Sequence, residues 1–285
     1  MELNYFYLKE GNGKRSFSYE DVKEKLTSPL LDVLSGAKKQ ELAESDGAFT
    51  LAGQEKTITA FLKENTSANN ALLSFVNTNN AHHLTYYLAK EAVRRFGCGE
   101  CRILNVDAHA DCADNGKFLS ETSAAKMTCG NWGTAFAKRG KGKYFVCGAY
   151  EAGTEAGTFF QKSAQPYDTQ GENLACFRLI NAANLDAKEY SAALMGLLQD
   201  GTPLYLSVDM DFCGGADRTD WKINGLAFDG MYWLKELVAA VPDRFLIGAD
   251  ITGFPNTAAF GRGTMQQYLN DIYTVYEGLK AKLRA

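Results

Sequence analysis

Short apolar, β-rich runs recur along the chain at 72–76, 102–106, 144–147, 175–179, 204–208 and 245–248. They are too short for helices, and most lack the alternation of a strand with one wet face, so the pattern predicts buried parallel strands. Between them the apolar spacing predicts helices over 83–96, 133–138, 187–198 with Asn184 as a cap, and 231–238 behind the cap residue Asp229. A last helix over about 265–283 carries Tyr268, Ile272, Val275, Leu279 and Leu283 on one face. The polar, weakly patterned stretch 45–70 reads as surface helix and loop. Strands alternating with helices imply right-handed crossovers, and the expected fold class is α/β: a three-layer α/β/α sandwich around a central, mostly parallel sheet.

Composition narrows the picture without changing it. A chain of 285 residues with 46% apolar and 22% charged residues can bury one large core, so a single domain over 1–285 is expected. The net charge of −4 and the lack of a basic cluster beyond Lys138-Arg139-Gly140-Lys141 and the last helix argue against nucleic acid as a partner. The N-terminus has no apolar signal core and no run of eighteen apolar residues occurs, so a cytoplasmic protein with no membrane partner is expected. Seven scattered cysteines fit a reducing compartment. Cys98-Gly99-Glu100-Cys101 is a CxxC without a second pair and reads as a turn between a helix and a strand.

The chemistry gathers at predicted strand ends. Asn105-Val106-Asp107-Ala108-His109-Ala110-Asp111 sets three ligand-type residues at a spacing of two, and alternation at a strand tip is expected to aim all three to one side. Leu206-Ser207-Val208-Asp209-Met210-Asp211 repeats the device, and His82-His83 follows a third strand end. In an open parallel sheet such ends converge on one crevice. So many close carboxylates cannot all remain ionised unless cations join them. A carboxylate-rich set with one or two imidazoles suits Mn²⁺, with Fe²⁺ or Zn²⁺ as alternatives. Two ions sharing carboxylates would hold a hydroxide nucleophile at neutral pH.

The ordered motifs Asp107-Ala108-His109-Ala110-Asp111 and Ser207-Val208-Asp209-Met210-Asp211, behind a histidine that follows a strand, resemble those of the ureohydrolases, the arginase and agmatinase family. The similarity runs over about 72–256. Taken position by position, it implies one Mn²⁺ on His82, Asp107, Asp111 and Asp209, and a second on Asp107, His109, Asp209 and Asp211, with Asp107 and Asp209 bridging. It further implies a bridging hydroxide that attacks a C–N bond of a small guanidino, amidino or amide substrate, and a homo-oligomer.

Several positions depart from the family pattern. Cys213-Gly214-Gly215 replaces its Asp-Pro, and Gly253 stands in the closing strand where an acid is usual. Gly130-Asn131-Trp132-Gly133 aligns with a segment whose histidine shuttles a proton, so Asp211 or a water is expected to take that catalytic task. Gly225-Leu226-Ala227-Phe228-Asp229-Gly230 is the nearest match to the family's Gly-Leu-Thr segment and ends in the shorter acid. Substrate contacts are therefore expected from Trp132, Asn131, Asp229 and Glu151, the last in a loop that should reach the same rim. These changes argue against arginine or agmatine as the substrate. Two alternatives stay open. One is a mononuclear zinc amidohydrolase of the related deacetylase type, with Asp107, His109 and Asp209 as ligands and the His82-His83 pair, notably His83, in acid–base catalysis. The other is an inactive binding or structural protein.

Overall fold

The computed structural model describes residues 3–8, 23, 26–42, 51–67, 71–77, 82–107, 109, 111, 127, 130–138, 142–148, 167–169, 174–178, 187–198, 200–213, 222–223, 226–227, 229–253 and 262–284. All six expected strands are present, as β3 (Leu72–Asn77), β4 (Cys101–Asp107), β5 (Gly142–Gly148), β7 (Leu174–Arg178), β8 (Leu204–Asp209) and β11 (Leu246–Thr252). Among the described residues, β1 (Leu3–Leu8), β2 (Lys38–Leu42) and the short β6 (Tyr167–Thr169) complete a nine-stranded sheet, ordered β2-β1-β3-β11-β8-β4-β5-β7-β6. Neighbours from β2 to β7 pair in parallel, and β6 runs antiparallel on β7 at the edge. A small hairpin, β9 (Lys222–Ile223) and β10 (Leu226–Ala227), lies apart from that sheet.

Strand alternation divides the core between two faces. Leu104, Val106, Leu206, Val208, Ala249 and Ile251 pack in a core shared with α1 (Pro29–Gly36), α5 (Ala187–Leu197), α6 (Gly230–Ala240) and α7 (Arg262–Arg284). Ile103, Tyr144, Tyr205 and Ile247 point the other way, into a core with α2 (Leu51–Asn65), α3 (Leu84–Phe96) and α4 (Trp132–Lys138). This is the three-layer α/β/α sandwich expected. The helices end as local chemistry dictates: Ser28 caps α1 ahead of Pro29, and Gly97 in the left-handed region stops α3. The CxxC is the turn that follows, from half-buried Cys98 to buried Cys101 at the start of β4, both free thiols.

The topology selects one place for a site. The chain leaves β4 through α4 towards β5, and leaves adjacent β8 through α6 towards β11 on the opposite side. Neighbouring strands whose connections depart in opposite directions open a crevice at their carboxyl ends. Asp107 and Asp209, the last residues of β4 and β8, stand at that crevice. No described helix is long and apolar enough to cross a membrane.

Candidate metal centre

Six of the residues named from the sequence converge here. His82 Nδ1 lies 2.8 Å from Asp111 Oδ2, 3.2 Å from Asp107 Oδ2 and 3.4 Å from Asp209 Oδ2. His109 Nδ1 lies 2.9 Å from Asp211 Oδ2 and 3.5 Å from Asp107 Oδ1. Asp107 therefore turns one oxygen to each histidine. Two overlapping ligand groups result, His82 with Asp107 and Asp111, and Asp107 with His109 and Asp211. They differ in depth: His82, Asp107 and Asp111 are buried, whereas the His109 and Asp211 side chains are 54% and 29% exposed.

The way the ligands converge corrects one expectation. Strand alternation was expected to carry all three residues of the first motif, but β4 ends at Asp107. Beyond it Asp111 takes a left-handed backbone, φ 49°, a conformation that aspartate tolerates better than most residues. A turn sets the geometry, because the His109 N–H donates to Asp107 Oδ1 at 2.7 Å and the Gly133 N–H donates to the Asp111 carbonyl. The second motif does the same. Asp211 lies in a 3₁₀ turn, Met210–Cys213, and its N–H donates to Asp209 Oδ1 at 3.1 Å.

Electrostatics set out what this arrangement demands. Burial and the neighbouring Asp107 push the Asp111 carboxyl up to about 7, against the pull of His82 and Trp132. Burial, Asp211 and Asp107 raise Asp209 well above the usual carboxylate range. Burial would also raise Asp107, but its bonds with His109 and His82 prevail and hold it low. Hydrogen bonds with Asp107 and Asp211 push His109 up to about 12. Burial opposes a charge on His82, yet Asp111 and Asp107 raise it well above its usual value. In the absence of a cation, shifts in these directions favour protons shared between the groups. Two divalent ions could replace them, and a buried set of carboxylate oxygens and imidazole nitrogens has the hard and borderline donors such ions prefer.

The remaining candidates take other positions in the fold, Trp132 against the ligands themselves. Trp132 was expected as a wall for substrate; it is fully buried, with its Nε1–H donating to Asp111 Oδ2 at 2.7 Å and its ring 5.0 Å from that of His82. It packs against the ligands from the core that α4 shares with α2 and α3. Asn131 is buried just before α4, its carbonyl accepting from the Ala135 N–H. Asp229 is exposed and caps α6 by accepting the Tyr232 N–H at 3.0 Å, so its carboxylate is engaged by a helix end. His83, fully buried, stands at the N-cap position of α3. Glu151 lies outside the described residues, as does Asn184.

A supporting layer was not anticipated. Asn105 Nδ2 donates to Asp107 Oδ2 and to the Tyr144 hydroxyl, each at 2.9 Å. Ser207 Oγ lies 3.0 Å from His82 Nε2 and donates to Asp250 at 2.8 Å. A sequence signal for it exists: Asn105 and Ser207 stand two residues before the terminal aspartates, hence on the same strand face. Gly253 has its own reason to be glycine. At φ 77°, a Cβ there would stand 2.1 Å from Asp209 Oδ1, so no side chain fits without displacing that carboxylate.

No family model matches the chain, and no curated protein matches it by sequence. Solved structures do. Formimidoylglutamase from Bacillus subtilis superposes with a TM-score of 0.61 at 14% identity, over 98% of this chain and 87% of that one. Trypanosoma cruzi formiminoglutamase with Mn²⁺ gives 0.59 at 11%, over 98% and 93%. Entamoeba histolytica arginase in complex with L-ornithine gives 0.58 at 13%, over 96% and 98%. A likeness this extensive at such low identity is a likeness of architecture: the chain adopts the fold of the arginase and agmatinase ureohydrolases.

Proposed function

We propose that this protein is a metal-dependent hydrolase of a C–N bond in a small guanidino, amidino or amide substrate, using two divalent ions, Mn²⁺ foremost. The observation that carries the reading is the division of Asp107, one oxygen towards the His82 group and one towards the His109 group. His82, Asp107, Asp111 and Asp209 would hold one ion, and Asp107, His109, Asp209 and Asp211 the other. Bound in this way, the ions supply Lewis-acid polarisation and lower the pKa of water towards neutrality. The Mn²⁺ in the trypanosomal neighbour supports the choice of metal.

The chain's own residues divide the remaining work. Trp132, packed on His82 and bonded to Asp111, keeps water from the deep side of the centre. The half-exposed His109 and Asp211 form the side that a substrate can approach. Asp211 is the carboxylate within reach of that approach, and it stands where a proton can pass to a leaving amine without the family's shuttle histidine. Asp229 is left out of substrate recognition, because it caps α6.

The test is reconstitution with Mn²⁺, elemental analysis of the washed protein, and a screen of guanidines, amidines, ureas and amides for ammonia or urea release. Two retained ions per chain with turnover of any member support the proposal. One tightly held zinc would move the reading to the mononuclear amidohydrolase. Two ions without turnover on a broad panel would favour the inactive binding protein.

A further inference from the structure

A carboxylate buried in the middle of a sheet needs a reason to be there. Asp250 lies in β11 with no exposure to solvent, and its Oδ1 accepts from Ser207 Oγ at 2.8 Å and from Thr85 Oγ1 at 3.1 Å. Among the described contacts of its side chain there is no lysine or arginine. An apolar residue would be cheaper to bury in such surroundings. The register explains where it points. Asp250 pairs with Ser207 across β11 and β8, on the face that also carries Tyr205 and Asp209. Gly248, two residues earlier, leaves room for the Tyr205 ring, since a Cβ there would meet it at 2.8 Å.

Thr85 and Tyr205 also face Asp250, and the link from it to the candidate ligands runs through Ser207. Ser207 Oγ is 3.0 Å from His82 Nε2, and the other ring nitrogen of His82 faces Asp111, Asp107 and Asp209. A hydroxyl that donates to Asp250 has its lone pairs left for an N–H of His82. The proton of a neutral His82 ring is then fixed on Nε2, and Nδ1 is left with a lone pair turned to the carboxylates. Hydrogen bonding at the far nitrogen of a metal-binding histidine sets both its tautomer and its orientation.

From this geometry we propose that Asp250 is a positioning residue for the metal centre, acting through Ser207 to hold His82 with Nε2 protonated and Nδ1 free to bind an ion. The inference rests on the proposed metal centre, and Thr85 serves it by holding the same Asp250 oxygen in place.

The experiment compares the full-length protein with Ser207→Ala, Asp250→Asn and the double variant, each checked for folding by circular dichroism in the metal-free form. Calorimetric titration uses Mn²⁺ alone. Each single substitution is expected to weaken the tighter site by about 10–100-fold, and the double variant to be no weaker than Ser207→Ala, because one residue acts through the other. Nitrogen-15 spectra of histidine-labelled, Zn²⁺-loaded protein are expected to show the His82 proton on Nε2 in the wild type and a mixed tautomer in the variants. Unchanged affinity in both single variants, additive losses in the double variant, or a His82 proton on Nδ1 would each overturn the inference. Absence of tight Mn²⁺ binding by the wild type would instead remove the proposed centre, and this role with it. Asp250→Asn preserves shape, so the test survives should Ser207→Ala fail to fold.

Discussion

Asp111 Oδ2 meets two groups at once, the Trp132 indole N–H at 2.7 Å and His82 Nδ1 at 2.8 Å. The indole is the fixed partner, since its ring is locked between His82 and Tyr144, each at a centroid distance of 5.0 Å. Trp132→Phe keeps most of that packing and removes only the donor. We expect it to lower Mn²⁺ affinity by about 10–100-fold, as loss of a bond to a ligating carboxylate does elsewhere; calorimetry that finds unchanged affinity would show the bond to be incidental. Gly253 acts on Asp209 by shape alone. Gly253→Ala forces a methyl against Asp209 Oδ1 in a left-handed backbone, and the expected outcome is a loss of bound metal, measured by elemental analysis, that exceeds any loss of fold measured by circular dichroism.

At the level of elements, Asp229 separates a structural role from a chemical one. As the N-cap of α6 its carboxylate satisfies the Tyr232 N–H, so Asp229→Ala should cost about 0.5–2 kcal/mol. At this chain length that is a fall in melting temperature of roughly 2–4 °C per kcal/mol. Metal stoichiometry should not change, and a variant that melts normally but loses substrate affinity would restore Asp229 to the binding site. The strands around the site were legible because each is buried on both faces and so reads as a short, largely apolar run without alternation. β2 was not legible, since its sequence, Lys38-Lys39-Gln40-Glu41-Leu42, is that of an exposed edge strand that gains order from pairing with β1. Helix α1 was missed for lack of length: eight residues carry too little periodicity to stand out, although Ser28-Pro29 marks its start. The six ligand types and their meeting at one crevice were legible, but the local geometry that aims them was not. It depends on the left-handed Asp111 and on two carboxylate-to-amide turns, which no period of two encodes. The supporting residues Asp250, Thr85 and Tyr144 come from three other elements, and only tertiary structure brings them in.

Buried carboxylates and imidazoles meet at the switch point between β4 and β8, and the pH response of the whole molecule should follow from that. The folded carboxyl of Asp111 sits at about 7, above its ordinary value of 3.8, so between these limits the folded chain binds more protons than the unfolded one. Stability from this group therefore falls as pH rises from about 4 to 7. His109 adds to the trend. Its folded value of about 12 lies above the ordinary 6.5, so its contribution is fully present below 6.5 and is lost as pH rises through 12. Asp107 is depressed, and it contributes above 3.8 and loses that contribution only as pH falls through its folded value. Together these groups make the metal-free centre increasingly unfavourable from mildly acidic to alkaline pH. An ion that displaces the protons must show the opposite dependence, binding more tightly as pH rises. Melting curves of chelator-treated and Mn²⁺-loaded protein between pH 5 and 8.5 should accordingly diverge. The metal-free form should melt lower at higher pH, and the gap on adding Mn²⁺ should widen, reaching about 2.7 kcal/mol of stabilisation for each ion whose free concentration is about 100 times its dissociation constant. A gap that is constant with pH would mean that the ions bind without displacing these protons, and the six residues would then not be their ligands.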